Sequence, residues 1–224
     1  IEKYAGYYWL SYLGGHKFGY ETTPLSISFA FTDDPAGAKP WRKLPAPVLQ
    51  SGDADARPGL ETVTLYKSFV FHDTTRSLGA PFVMFYNAKG TSERIFTAVS
   101  EDLKIWRRFG TGPAVENLPP AGSKGGVISG DPQIMRMGDL WVMFYFGAFW
   151  KPGAFDTFAA SRDLISWTKW SGEDLVKPSE PYDNLYAHKP WILKHKGVVY
   201  HFYCAVGGKD QHRSIALATS KNLR

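Results

Sequence analysis

Two short segments carry a titratable side chain just ahead of a proline. Asp131 directly precedes Pro132 in "SGDPQI", and His188 lies two residues before Pro190 in "AHKPWI". The residue before a proline is biased toward extended backbone, which favours Asp131 at the start of a strand. An imidazole can transfer a proton near neutral pH when a carboxylate raises its pKa or fixes its tautomer. Both residues are therefore candidates for acid–base chemistry; the alternatives are an Asx-type turn at Asp131 and a hydrogen-bonded structural role for His188.

These segments lie within an internal repeat. Four copies each contain an apolar strand ending in tyrosine, a polar turn and a second strand leading to serine or threonine. The copies cover residues 7–49, 81–115, 140–170 and 198–224. The phrase "SxDLxxW" follows this strand in the second and third copies, as "SEDLKIW" and "SRDLISW", and "SKNLR" begins it again at the end of the chain. A further short strand precedes copies two to four.

Corresponding residues keep step between the copies. The tyrosines are Tyr12, Tyr86, Tyr145 and Tyr203, and the hydroxyl residues are Thr32, Ser100, Ser161 and Ser220. An Asp or Asn after the serine can bond nearby backbone amides, and the Leu and Trp can pack between neighbouring sheets. We therefore interpret the phrase as a structural turn and expect Trp106 and Trp167 in the core.

The repeat predicts an all-β protein. Turns with glycine or proline separate the strands, and no long segment shows a helical period. A repeat with about four strands per unit is typical of a β-propeller blade. We predict a single propeller domain with blade segments at about 1–50, 60–115, 127–178 and 186–224. The first copy lacks its first strand and the fourth its last, so we expect three to four blades of a propeller that is incomplete at both ends.

Composition excludes several classes of protein. The net charge is +5, but the basic residues are scattered, which argues against a nucleic-acid partner. Cys204 is the only cysteine, so the sequence offers neither an internal disulfide nor a cysteine-based zinc site. No apolar run approaches the length of a membrane span. Compartment is left open, and a periplasmic or extracellular location is favoured if a signal peptide lies upstream of Ile1.

The phrases "SEDLKIWRRFGTGPAV", "SRDLISWTKW" and "SGDPQIMRMGDLWVMFYFG" resemble blades of the five-bladed β-propeller glycoside hydrolases. This group includes families 43, 62, 32, 68, 117 and 130. The resemblance covers nearly the whole chain, and it implies that the first strand of each blade faces a central channel and delivers catalytic residues. In family 43 these are an Asp base, a second Asp that tunes a pKa and a Glu acid.

The resemblance implies roles for particular residues. The corresponding places hold Lys67 or Ser68, Asp131 and His188, so Asp131 fits the pKa-tuning Asp and His188 replaces the Glu acid. Family 117, which uses a His acid and cleaves 3,6-anhydro-L-galactose from agar oligosaccharides, is more similar in this respect. The Asp base would fall a few residues before Ile1.

Other side chains are candidate sugar contacts. A cationic or imidazole group could bind a substrate oxygen, and an exposed aromatic ring in "GAFWKPGAF" could stack on the apolar face of a sugar. The candidates are Lys67, Lys189, His72, His16, Phe149 and Trp150, with Phe155 beside them. The carboxylates Glu116, Glu173, Glu180 and Asp73 are read mainly as surface groups.

The sequence thus predicts a glycoside hydrolase that acts on an oligosaccharide or polysaccharide, with inversion and from the chain end. A glycoside phosphorylase, a non-catalytic carbohydrate-binding propeller and a scaffold for protein partners are the alternatives. We predict no cofactor; a metal ion on the channel axis is left open, because no His/Asp spacing specifies one.

Overall fold

Residues 3–37, 39–117 and 126–221 are described by a computed structural model of the chain. Every regular element in these ranges is a β-strand, as predicted, and none is a membrane-spanning helix. The last residues of "SKNLR", 222–224, lie outside the described ranges. The chain divides into two compact units, Ile1–Thr91 with Phe96–Gly112, and Ser92–Ile95 with Pro113–Arg224.

The first unit contains two blade sheets. Strands β1 (Tyr8–Gly15), β2 (Leu25–Thr32) and β3 (Arg42–Lys43) form one sheet in the order β1-β2-β3. Strands β4 (Thr64–His72), β5 (Phe82–Lys89), β6 (Glu93–Ser100) and β7 (Trp106–Phe109) form the other in chain order. The first three residues of β6 belong to the second unit.

The second unit repeats this pattern. Strands β8 (Ile128–Met137), β9 (Leu140–Ala148), β10 (Ala154–Ser161) and β11 (Thr168–Lys169) pair antiparallel in chain order. Strands β12 (Tyr186–His195), β13 (Val198–Gly207) and β14 (His212–Thr219) form an antiparallel sheet in the same way. The strands of both units fall within the four blade segments predicted from the repeat.

Aromatic and branched side chains from both sheets form the core of the first unit. Trp106 of the repeated phrase stacks on Phe29 of the neighbouring sheet, with ring centroids 5.6 Å apart and planes 10° from parallel. Trp106 is buried, as predicted, while its counterpart Trp167 is only half-buried. Aromatic residues favour strands and bury a large apolar surface, which explains why these sheets hold together by their faces.

The repeated phrase is the turn that the sequence predicted. Ser100 Oγ accepts hydrogen bonds from the backbone N–H groups of Asp102 and Leu103 at 3.2 and 2.9 Å. Asp102 Oδ1 accepts two more, both at 2.9 Å, from the N–H groups two and three residues later. The Trp106 indole closes the turn by donating to the Leu103 carbonyl at 3.0 Å. The turn satisfies its own backbone donors and needs no ligand.

The third copy repeats these contacts. Ser161 and Asp163 accept the equivalent backbone hydrogen bonds, and Trp167 donates to the carbonyl of Leu164 at 3.2 Å. The backbone N–H groups lower the pKa of Asp163 to about 2, because they stabilise its ionised form. The aspartates of this phrase are therefore structural.

The repeated tyrosines anchor each blade to the segment before it. Tyr86 donates to Glu61 Oε1 at 2.5 Å, and Tyr203 donates to Asp183 Oδ2 at 2.8 Å. Asn117 makes the corresponding hydrogen bond with Tyr145. Burial is the main reason that the pKa of each of these tyrosines is raised. The acids Glu61 and Asp183, both fully buried, thus belong to the framework.

Candidate active site

The first strands of three blades contain the same irregularity. In β4, β8 and β12 the pairing with the following strand shifts by one residue, which marks a β-bulge. Within each shift lies a residue with positive φ: Lys67 at 53°, Asp131 at 52° and Lys189 at 64°. Such values are uncommon outside glycine, and bulges frequently redirect a side chain next to a functional site. These three residues occupy equivalent positions of the repeat.

Two sequence expectations are wrong at this bulge. Asp131 does not start its strand in extended conformation; it is the fourth residue of β8, with left-handed φ, because the register of the sheet overrides the local effect of Pro132. His188 is not the counterpart of Asp131. It lies one residue earlier and pairs with Cys204, and Lys189 occupies the bulge.

Asp131 is half-buried in β8 of the second unit. It lies close enough to Asp156 of β10 for its charge to raise the pKa of that carboxyl group. Asp156 is opposite Phe146 in the β9–β10 pair, and Phe146 is opposite Gly130 in the β8–β9 pair. The bulge therefore sets Asp131 beside a second carboxyl group on the same sheet.

His188 is buried in β12, with a relative exposure of 7%. Its Nδ1 lies 3.1 Å from the carbonyl oxygen of Cys204. A carbonyl oxygen only accepts hydrogen bonds, so Nδ1 carries a hydrogen and Nε2 is the nitrogen that gains or loses a proton. The edges of Phe146 and Tyr186 are near the ring, with centroids 5.3 and 5.9 Å away. The imidazole has a fixed tautomer and orientation.

A double hydrogen bond joins the strands that carry Asp131 and His188. Gln133 Nε2 donates to the carbonyl of Ile192 at 2.9 Å, and the N–H of Ile192 donates to Gln133 Oε1 at 2.6 Å. Phe146, opposite Gly130 in β9, also reaches the His188 ring. The two candidate residues therefore lie on neighbouring inner strands of one unit, as the sequence interpretation requires.

Sequence reasoning missed a buried pair in the same unit. Asp156 Oδ2 and His201 Nε2 are 2.8 Å apart, and both residues are buried. Each is a titratable side chain within an otherwise apolar strand, in "AFDTFAA" and "YHFYCAV". That contrast was the signal available in the sequence, although their contact joins residues distant along the chain.

The three other polar candidates have different surroundings. Lys67 is mostly buried in the first unit, where its Nζ lies 3.6 Å from Glu21 and 4.6 Å from the centre of the Tyr66 ring. It is thus neither the solvated cation that was its alternative nor an isolated charge. His16 is exposed after β1 and lines a shallow pocket, and His72 stacks on Phe82 with centroids 5.1 Å apart. Their roles as sugar contacts stay predictions.

The aromatic residues of "GAFWKPGAF" divide into two kinds. Phe155 is buried, so packing is its role. Trp150 is half-buried: its indole lies against Gly147, where an added Cβ would come within 2.5 Å of the ring, and donates to the Ile128 carbonyl at 3.2 Å. Phe149 is 50% exposed at the tip of the turn. Of the three rings, Phe149 is the one whose surface is open for stacking.

The carboxylates read as surface groups differ in environment. Asp73 is buried and accepts hydrogen bonds from the backbone of Thr75 and Ser77, which lower its pKa. Glu116 is exposed and pairs with Arg94 at 2.9 Å. Among the described residues, no group of three or more His, Cys, Asp or Glu side chains is arranged to hold a metal ion.

The chain is similar to solved structures of glycoside hydrolases. One, described as "Glycoside hydrolase", is 45% identical, and another, described as a complex of BT0996 and RGII, is 46% identical. Each match covers 100% of this chain and 65% of the other chain, with a TM-score of 0.90. The chain therefore spans about two thirds of their length. No protein-family model and no curated protein sequence matches it.

More distant structures share the fold. A thermostable family-43 glycoside hydrolase is 16% identical, with a TM-score of 0.63 over 99% of this chain and 67% of the other. The family-32 β-fructofuranosidase of Bombyx mori is 17% identical, with a TM-score of 0.69 over 97% of this chain and 44% of the other. Both families belong to the group that the repeated phrases resemble.

Proposed function

We propose that this chain, which has the predicted β-propeller fold of the glycoside hydrolases, takes part in cleaving a glycosidic bond of an oligosaccharide or polysaccharide. The observation that carries the proposal is the 45% identity to a glycoside hydrolase structure over the entire chain at a TM-score of 0.90. Identity at this level extends beyond the fold to the side chains of the inner strands.

His188 is the proposed general acid. Cleavage requires a proton on the departing oxygen, and an imidazolium can supply it near neutral pH. The Cys204 carbonyl engages Nδ1, so the transferred proton is the one on Nε2. The flanking rings of Phe146 and Tyr186 hold the imidazole in place. After the bond breaks, His188 is neutral and must regain a proton before the next turnover.

Asp131 is the proposed carboxylate of the site. Its position on the strand next to that of His188 allows its negative charge to favour the protonated imidazole and its oxygens to accept hydrogen bonds from sugar hydroxyls. Because these groups come from different blades, a substrate can lie between them. By its resemblance to families 43 and 117, we propose that the reaction inverts the anomeric centre and removes the terminal sugar.

RGII oligosaccharides are the first substrates to test, because RGII is named in the description of the 46% identical structure. The purified protein is incubated with them in phosphate-free buffer and in phosphate buffer, and the products are followed by NMR. Hydrolysis predicts release of a free terminal sugar of inverted configuration without phosphate. A sugar phosphate formed only with phosphate would identify a phosphorylase. Binding without turnover would identify a carbohydrate-binding propeller and contradict the proposal.

A further inference from the structure

Asp156 is a buried carboxyl group that the proposed mechanism leaves unused. Its exposure is 0%, although it sits on β10 in the sheet that carries Asp131. Oδ2 is 2.8 Å from His201 Nε2, and Oδ1 makes no hydrogen bond to any described residue. An ionised carboxylate in such a place would lack both water and a full set of donors, which is costly.

The groups around Asp156 offer no compensating cation. Its electrostatic neighbours are Asp131 on β8 and Asp174 in the segment after β11, and both disfavour its negative charge. Asp174 is itself paired with Lys151 at 2.5 Å. His201 comes from β13, and the edge of Tyr203 lies 6.3 Å from its ring. Among the described residues, neither lysine nor arginine pairs with Asp156.

Burial acts on both members of the pair. It raises the pKa of Asp156 well above its ordinary value, helped by the charge of Asp131, and it lowers the pKa of His201 to about 4. Each shift favours the uncharged form of its group. A protonated Asp156 donating from Oδ2 to the Nε2 lone pair of His201 satisfies both conditions at once.

When two carboxyl groups are close and only one is fully buried, the buried one keeps the proton and the other ionises more easily. We propose that Asp156 is a positioning residue that stays protonated on His201 and so keeps its neighbour Asp131 as the ionised carboxylate of the site. This proposal deepens the proposed function and rests on it for its role in turnover, but the location of the proton can be measured in the absence of substrate.

Infrared spectroscopy distinguishes the carbonyl stretch of a protonated carboxyl group from the bands of a carboxylate. Difference spectra are recorded at pH 7 for the wild-type protein and for Asp131→Asn, Asp156→Asn and Asp163→Asn. The carboxylic-acid band is expected in the wild type and in Asp131→Asn, and it should be missing in Asp156→Asn. The matched control Asp163→Asn should retain it, because the backbone keeps Asp163 ionised.

A wild-type spectrum with no carboxylic-acid band overturns the proposal, and so does a band that survives Asp156→Asn but is lost in Asp131→Asn. If Asp156→Asn does not fold, His201→Gln replaces only the acceptor, and the band must change frequency. An unshifted band in that variant overturns the proposal as well. Since these spectra need no substrate, they can succeed even where turnover is not found, which separates this proposal from the glycosidase assignment.

If turnover is found, a kinetic comparison tests the positioning role. A carboxamide is neutral like the protonated acid, so Asp156→Asn should lower kcat by less than tenfold and leave the acidic limb of kcat/KM at the same pH. Loss of turnover as complete as that of Asp131→Asn, in a folded protein, would mean that Asp156 acts in ionised form and would overturn the proposal.

Discussion

Asp131 and Lys189 occupy the same position in two successive blades, each at the bulge of an inner strand with a positive φ. The repeat therefore places side chains of opposite charge at one structural position, and Lys67 holds it in the preceding blade. His188 is the residue just before the bulge of its strand. A shared backbone device thus presents different chemistry in each blade.

The His188 assignment predicts a specific change in pH dependence. In the wild type, kcat/KM should fall on the alkaline side as Nε2 loses its proton. His188→Gln should lower kcat/KM by about 10²–10⁴-fold, the usual contribution of a general acid, and abolish this alkaline limb. The measurement is a pH profile of hydrolysis for both proteins.

His195→Gln is the matched control, because His195 is an exposed residue at the end of the same strand. It should keep both the rate and the limb. An alkaline limb that persists unchanged in His188→Gln would assign the acid to another group.

The exposed ring of Phe149 predicts an effect on substrate binding. Removing an aromatic contact costs about 0.5–1.5 kcal/mol, so Phe149→Ala should raise KM by roughly two- to tenfold with kcat nearly preserved. Steady-state kinetics on an oligosaccharide separates the two constants. Phe18→Ala, which removes a fully exposed ring in the first unit, should leave KM as it is. Equal KM values for wild type and Phe149→Ala would remove Phe149 from the sugar site.

The buried acid Glu61 predicts a large effect on stability. Its carboxylate lies 2.9 Å from Arg57 and 3.1 Å from Arg108, and all three side chains are at most 7% exposed. Glu61→Ala would leave two buried cations without this partner, so the free energy of unfolding should fall by about 3–5 kcal/mol. Urea unfolding measures the change.

The exposed pair of Glu101 and Arg76 supplies the comparison, since these side chains are 64% and 49% exposed. Glu101→Ala should cost about 0–1 kcal/mol. Equal losses for the two substitutions would show that the Glu61 network does not hold the blade.

The pair of Asp156 and His201 predicts how stability varies with pH. Between about pH 4 and 6.5, the unfolded chain carries a proton on His201 and none on Asp156. In the folded chain the pKa of His201 is lowered to about 4 and that of Asp156 is raised, so one proton is again bound, now on Asp156. The wild-type pair should add no slope in this window.

Asp156→Asn should introduce that slope. His201 then titrates alone, and the unfolded chain binds one more proton than the folded chain. The free energy of unfolding should fall on acidification from about pH 6.5 to 4, by up to about 1.4 kcal/mol per pH unit. Unfolding curves of both proteins across this range supply the test. Parallel pH dependences would contradict a neutral pair in the folded chain.

The sequence was most informative where structure depends on local contacts. The turn of Ser100 and Asp102 could be predicted, because its hydrogen bonds join residues two or three apart. The strands and their tyrosines followed from the repeat. The bulge position of Asp131 could not be predicted, because a bulge depends on the register with the next strand. The contact between Asp156 and His201 joins two blades and has no local signature.

The central claim is that Asp131 works as the carboxylate of a glycosidase site. The most direct test is kcat/KM for hydrolysis by folded Asp131→Asn, measured beside Asp163→Asn, which makes the same chemical change at a structural turn. The account predicts that Asp131→Asn loses at least about 10²-fold in kcat/KM, the lower end for a lost acid–base function, with an unchanged unfolding midpoint, while Asp163→Asn hydrolyses at the wild-type rate. Wild-type hydrolysis by Asp131→Asn would contradict it.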